Sequence, residues 1–195
     1  MGKGCPMHAS YPPNALRLTL LVWVLFTACT TSDGDKEHDE IAPPEKSLEA
    51  AAAEGDVEAV RQHIAAGTDP NTQHLTNGST PLIVAATFGH TEVARALIQG
   101  GADLEIQNSD GSTALHAAAF LCHEDIVRSL IEHGANRDAR NGTGSTALQS
   151  VAGPFSQVKP IYNLLQAVLG PYGLKLDYAR LKQTRPRIAD LLRAE

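Results

Sequence analysis

Eight histidines and three cysteines are the residues of this 195-residue chain best able to do chemistry. Cys122 and His123 adjoin, and a Cys–His pair can generate a thiolate nucleophile when the ring meets the sulfur. Adjacency in sequence does not supply that geometry, and no third residue is placed to orient His123. His90 and His123 lie 33 residues apart, but a metal would need Cys, Asp or Glu converging with them. His90, His116 and His123 are therefore expected to be hydrogen-bonding scaffold. No Gly-rich phosphate loop, serine nucleophile elbow or paired carboxylates are evident. The chain is expected not to be an enzyme and to need no cofactor or metal. The alternative of another class is a thiol enzyme using Cys122 and His123.

Composition narrows the partners. Acidic residues outnumber basic ones 22 to 16, for a net charge of -6. Binding to a phosphate backbone needs the opposite sign. Aromatic residues make up 5% of the chain, too few for a base-stacking platform. Nucleic acid and a small-molecule substrate are both expected to be absent. With 43% apolar residues the chain is ordinary globular material, sized for one domain. Three cysteines cannot build a disulfide framework.

The elements that position these residues follow a period. Thr80-Pro81-Leu82 returns as Thr113-Ala114-Leu115 and Thr146-Ala147-Leu148, 33 residues apart each time. Gly78, Gly111 and Gly144 keep the same step, and Gly101-Ala102-Asp103 returns as Gly134-Ala135-Asn136. Asn77-Gly78, Asp110-Gly111 and Asn141-Gly142 are tight-turn dipeptides, since these residues tolerate positive φ. Thr80 can cap a helix whose first turn holds Pro81. Thr91 is read as the cap of a second helix, with Val93, Ala94, Leu97 and Ile98 at helical spacing. The pattern, from about Lys46 to Asn163, resembles the ankyrin repeat, a turn followed by two antiparallel helices. The resemblance implies an all-α ankyrin-repeat solenoid of about four helix-pair units.

The end units depart from the pattern. The first lacks its turn and begins at Ser47, with Val57, Val60 and Ile64 on its second helix. In the fourth, Pro154 interrupts the chain after Gly153. Ile161, Leu164, Leu165, Val168 and Leu169 then make a strongly apolar helix, read as belonging to the irregular end. The repeats are placed at 47–163 and an irregular helical C-terminal cap at 164–195. Cys122 stands where the preceding unit has Gly89, so a positive φ there would carry strain.

The first thirty residues read as an address. Lys3 and Arg17 precede an eleven-residue apolar run, Leu18 to Ala28. Such a run is too short to span a bilayer but suits a signal peptide. Leu25-Phe26-Thr27-Ala28-Cys29 resembles the lipobox of bacterial lipoproteins, with Phe26 where that family usually has Leu. The resemblance implies a signal peptide over 1–28, lipidation at Cys29, and a lipid anchor in the cell envelope. Thr30 after the cysteine implies the outer membrane, periplasmic side; a secreted or periplasmic soluble protein is the alternative. Residues 29–46, polar and ending near Pro43-Pro44, are expected to be a flexible tether.

Comparing units within the chain separates constant scaffold from variable surface. The variable positions are Thr76 and Asn77, Ser109 and Asp110, and Thr143 at the turns. On the first helices they are Thr87 and Phe88, then Phe120 and Leu121. Exposed apolar side chains rimmed by polar tips suggest a protein-binding patch, provided the C-terminal cap does not cover them. The expected function is non-catalytic protein–protein interaction at the envelope, with a protein partner of unknown identity. A special case is an inhibitor or protective partner of a periplasmic enzyme.

Overall fold

A computed structural model describes residues 43–194. Cys29, the signal peptide and most of the tether lie outside the described residues. Among those described there is no strand, and the helices are α1 (Leu48–Glu54), α2 (Val57–Ala65), α3 (Pro81–Phe88), α4 (Thr91–Gln99), α5 (Ala114–Phe120), α6 (Glu124–Glu132), α7 (Ala147–Ala152), α8 (Phe155–Leu169) and α9 (Tyr178–Arg193).

Each inner helix starts where a hydroxyl can cap it. Ser47 accepts from the Ala50 N–H at 3.2 Å and Thr80 from the Ile83 N–H at 3.3 Å. Thr146 and Gln149 form a reciprocal capping box. In α5 the third residue is His116, whose Nδ1 meets the Thr113 hydroxyl at 2.9 Å. Thr91 is the first residue of α4 rather than its cap. The cap position is His90, and its ring serves the preceding unit instead.

The inner helices α1, α3, α5 and α7 stack side by side, while α2, α4 and α6 stack behind them as an outer layer. Ala51, Ala52, Ala85, Ala86, Ala118 and Ala119 are fully buried, so small side chains set the close approach of the inner helices. Val60, Val93, Leu97, Ile126, Val127 and Leu130 are the buried face of the outer layer. His90 and His123 join one unit to the previous one. Each ring lies against a glycine, Gly55 and Gly89 respectively, where an added Cβ would stand 2.7 Å and 2.4 Å from the ring. His90 Nε2–H donates to the Ala53 carbonyl at 2.9 Å.

The fourth unit is built differently from its expected form. Residue 163, the expected end of the repeats, lies inside α8. The helix stacked on α6 and paired with α7 is α9. Ile188, Ala189 and Leu192 are buried there in the spacing that Ile126, Val127 and Leu130 show in α6. Ile188 comes 62 residues after Ile126, which is 29 more than one 33-residue step. Helix α8 and the 3-10 turn Gly170–Tyr172 therefore form an insertion inside the last unit. The apolar residues of α8 do not make an outer helix: Ile161, Leu164 and Val168 are 48%, 63% and 55% exposed.

One cluster fastens the insertion. Tyr162 is fully buried between Phe120 and Phe155, with ring centroids 4.6 Å and 5.7 Å away. Its hydroxyl donates to the Phe120 carbonyl at 2.5 Å and accepts from Arg185 at 2.9 Å. The buried Arg185 guanidinium also donates to the Ser150 and Gly153 carbonyls at 3.2 Å and 3.1 Å. Those carbonyls stand at the C-terminal end of α7, where the helix dipole favours a cation. Burial pushes the Tyr162 phenol up to about 12.

Candidate functional surface

The turn tips form a row because successive turns hydrogen-bond to each other. Ser109 N–H donates to the Asn77 carbonyl at 2.9 Å, and Gly142 N–H to the Asp110 carbonyl at 2.8 Å. Gln73 reaches the Gln107 carbonyl at 3.0 Å, and Gln107 repeats the bond to Arg140 at 3.2 Å. Within the turns, Asn108 Oδ1 accepts from Asp110 and Ser112, and Asn141 Oδ1 from Thr143 and Ser145. His74 occupies the equivalent place in the first turn, which is one residue longer, and its Nδ1 bonds the Thr76 hydroxyl at 2.7 Å. The extra residue leaves Leu75 fully exposed.

Thr76, Asn77, Ser109, Asp110 and Thr143 are all exposed on this row. The first-helix residues divide. Thr87 is half-buried, its hydroxyl returned to the Ile83 carbonyl at 2.8 Å. Phe88 is half-buried, with its ring stacked 6.2 Å from that of His90. Phe120 is half-buried beneath Tyr162. Leu121, expected at the surface, is 3% exposed and belongs to the core. The cap thus covers the second aromatic position, where α8 crosses the end of α5, and not the first.

Between the turn row and α8 lies an open groove of roughly 470 Å³. One wall carries the amides of Asn108 and Asn141, the Asp110 carboxylate and the Thr143 hydroxyl; the opposite wall carries Val158, Ile161 and Leu165 of α8. Thr87, Asp110, Phe120, Leu121 and Thr143 of the expected patch line it, whereas Thr76, Asn77, Phe88 and Ser109 lie outside it. The α8 wall is not part of the expected patch, because the apolar pattern from Ile161 to Leu169 by itself points only to the irregular end. The signal that locates it is Ile188-Ala189 followed by Leu192, which repeats the outer-helix pattern and leaves α8 as an insertion.

The possible catalytic pair does not assemble. The Cys122 thiol is 1% exposed and faces the Phe120 and Leu181 carbonyls at 3.9 Å and 3.8 Å. Burial pushes it up to about 11, against the pull of Arg185 and Arg180. A thiol in that environment is protonated at neutral pH. The His123 ring is turned onto Gly89, and burial, then the Arg180 charge, hold it down to about 4. His116 Nε2–H donates to the Ser145 carbonyl of the next unit at 3.1 Å, and burial lowers its basicity. His90, His116 and His123 are structural joints between units.

Comparison with known proteins agrees with this architecture. A family model for "Ankyrin repeats (3 copies)" matches residues 48–152. An ankyrin repeat-containing protein of Schizosaccharomyces pombe is 33% identical over 60 residues, covering 31% of this chain and 28% of the relative. Ankyrin repeat domain-containing protein 40 of Mus musculus is 40% identical over 62 residues, covering 32% of this chain and 17% of the relative. The match thus spans under a third of each relative's length. Since the family match takes in more than half of the residues, with unit-to-unit stacking throughout, the chain belongs to the ankyrin repeat family.

Proposed function

We propose that this chain is a non-catalytic protein-binding module whose partner lies along the turn row and in the groove closed by α8. Ankyrin repeats indicate a protein–protein interaction module. The observation that carries the finer reading is the groove itself, with hydrogen-bonding groups on one wall and aliphatic side chains on the other. Such walls suit a polypeptide segment, which offers main-chain polar groups and apolar side chains together. Phe88, Thr76, Asn77 and Ser109 extend the surface toward the first unit. The module would be held at the bacterial envelope by a lipid on Cys29, with residues 30–46 as spacer. The apolar run before Cys29 and the small residues at 27 and 28 support that placement.

Site-specific photo-crosslinking in envelopes tests the binding reading. A photoreactive residue at Thr143 or Gln157, both exposed on the groove, should give one discrete adduct. The same residue at Arg61 or Gln99, exposed on the outer layer, should not. Equal adducts at all four positions would reject the groove as the site. Membrane fractionation of wild type and Cys29→Ser tests the tether, and an intact Met1 on the mature protein would reject it.

A further inference from the structure

Asp110 is the one carboxylate among the residues that line the groove, and no Lys or Arg lines it. The basic side chain on the lining is His116, which is buried and whose basicity that burial lowers. Asp110 serves its turn through the main chain: its N–H donates to Asn108 Oδ1 at 3.0 Å, and its carbonyl accepts from Gly142 N–H at 2.8 Å. The residue is exposed, and among the described residues no ion pair takes its carboxylate. The cations of the neighbouring elements are directed elsewhere. Arg140 donates to the Gly144 carbonyl at 2.8 Å, and Lys159 of α8 lies on the side of that helix that faces Tyr178 and Lys182 of α9.

A groove with this lining discriminates by sign. An acidic side chain entering it would leave water without meeting a cation, and would meet the like charge of Asp110. A Lys or Arg finds the opposite charge at the lip, and its apolar stem can lie along the groove. The two walls differ as well, polar along the turns and aliphatic along α8. Successive side chains of an extended segment point to opposite sides, so a segment that satisfies both walls alternates aliphatic with polar or basic residues. The chain's own tether does not fit: Thr30 to Ala42 holds five carboxylates and one lysine.

We propose that the groove selects an extended, basic segment of a partner protein, with one Lys or Arg paired to Asp110 and the alternate aliphatic side chains set against Val158, Ile161 and Leu165. This rests on the reading that the groove is the binding site, and adds the chemistry of what enters it. Asp110 sets the sign of the segment rather than most of its affinity, since one exposed ion pair contributes little while apolar burial contributes more.

The test titrates the full-length protein with fluorescent peptides of one design, followed by anisotropy. Aliphatic residues occupy alternate positions, and the positions between them hold Lys and Arg, Ser and Thr, or Asp and Glu. The basic peptides should bind tightest. Asp110→Asn should weaken them by about five-fold, the most that an exposed ion pair supplies, and added salt should narrow the difference. Asp110→Lys should turn the preference to the acidic peptides, which separates pairing from any effect on the turn. Ile161→Ser, at a half-exposed position, should weaken basic and neutral peptides alike. Glu58→Gln, exposed on α2, should change nothing. Basic peptides that bind no better than the others, or a basic preference that survives Asp110→Asn, would overturn the inference. So would a second copy filling the groove, seen as self-association by sedimentation that the peptides do not displace. A discrete crosslink at Thr143 or Gln157 without any charge preference rejects the basic segment and leaves the binding reading standing. No crosslink and no peptide binding reject both.

Discussion

Cys122 holds a φ of 59°, where the two preceding units place Gly55 and Gly89 at 78° and 79°. Those glycines are required twice over, by the backbone angle and by the histidine ring of the following unit. The fourth unit sends no such ring: Arg180 of α9 donates to the Cys122 carbonyl at 3.2 Å and Leu181 lies over the sulfur. With the steric constraint gone, a side chain is accommodated at the cost of backbone strain. His123 shows the same joint from the other side. Its Nε2 is buried without a hydrogen-bond partner, and its folded-state basicity drops from 6.5 to about 4. The unfolded chain therefore binds a proton that the folded chain refuses. Stability is full above about pH 6.5 and falls as the pH drops toward 4, by roughly 3 kcal/mol at most for this group. His123→Gln should flatten the dependence of urea midpoints between pH 6.5 and 4, leaving the smaller slope due to His116. An unchanged slope would mean that His123 protonates freely in the fold.

Helix α8 depends on very few fixed points. Tyr162 alone among its residues is buried, and the hydroxyl links three elements, α5 through the Phe120 carbonyl, α8 itself, and α9 through Arg185. Tyr162→Phe keeps the aromatic stack but leaves the buried carbonyl and one guanidinium N–H without their partner. Such losses cost about 1–3 kcal/mol. Thermal unfolding should report that loss, and hydrogen exchange should place it in α8 and α9 rather than in α1 to α4. Uniform loosening of every helix would contradict this, since stacked units couple chiefly to their neighbours.

Across the whole molecule, the two aromatic positions have acquired different roles. Phe120 is packed under Tyr162 and belongs to the fastening of the insertion. Phe88 keeps a half-exposed ring beside His90, away from α8. Phe120→Ala should therefore lower stability by about 3 kcal/mol. Phe88→Ala should lower it by about 1 kcal/mol or less and weaken partner binding instead, by roughly 2 kcal/mol if it is a central anchor. Denaturation and a binding titration of both variants separate these outcomes. A large stability loss at Phe88 with unchanged affinity would assign that ring to the fold. Helices α1 to α7 form the repeat body, and α9 completes it; the inserted α8 supplies both a groove wall and an apolar outer face.

The repeat itself was legible in the chain because its causes are local. A threonine cap, a proline in the first turn, paired alanines and an Asn-Gly or Asp-Gly turn each act within a few residues, and the 33-residue step repeats them. The scaffold role of His90, His116 and His123 followed from the same periodicity, as did the positive φ at Cys122. The layout of the last unit was not legible in that way. Ile161 to Leu169 has the stronger apolar pattern and comes first, but α9 takes the outer-helix place, through Ile188, Ala189 and Leu192 stacked on α6. Hydrophobicity states that a helix has an apolar face, while only packing against distant neighbours decides which face is covered. Tyr162 and Arg185 meet across 23 residues of chain and pin α8 over Phe120, so half-burial of Phe120, burial of Leu121 and exposure of Leu164 and Val168 were settled by tertiary structure.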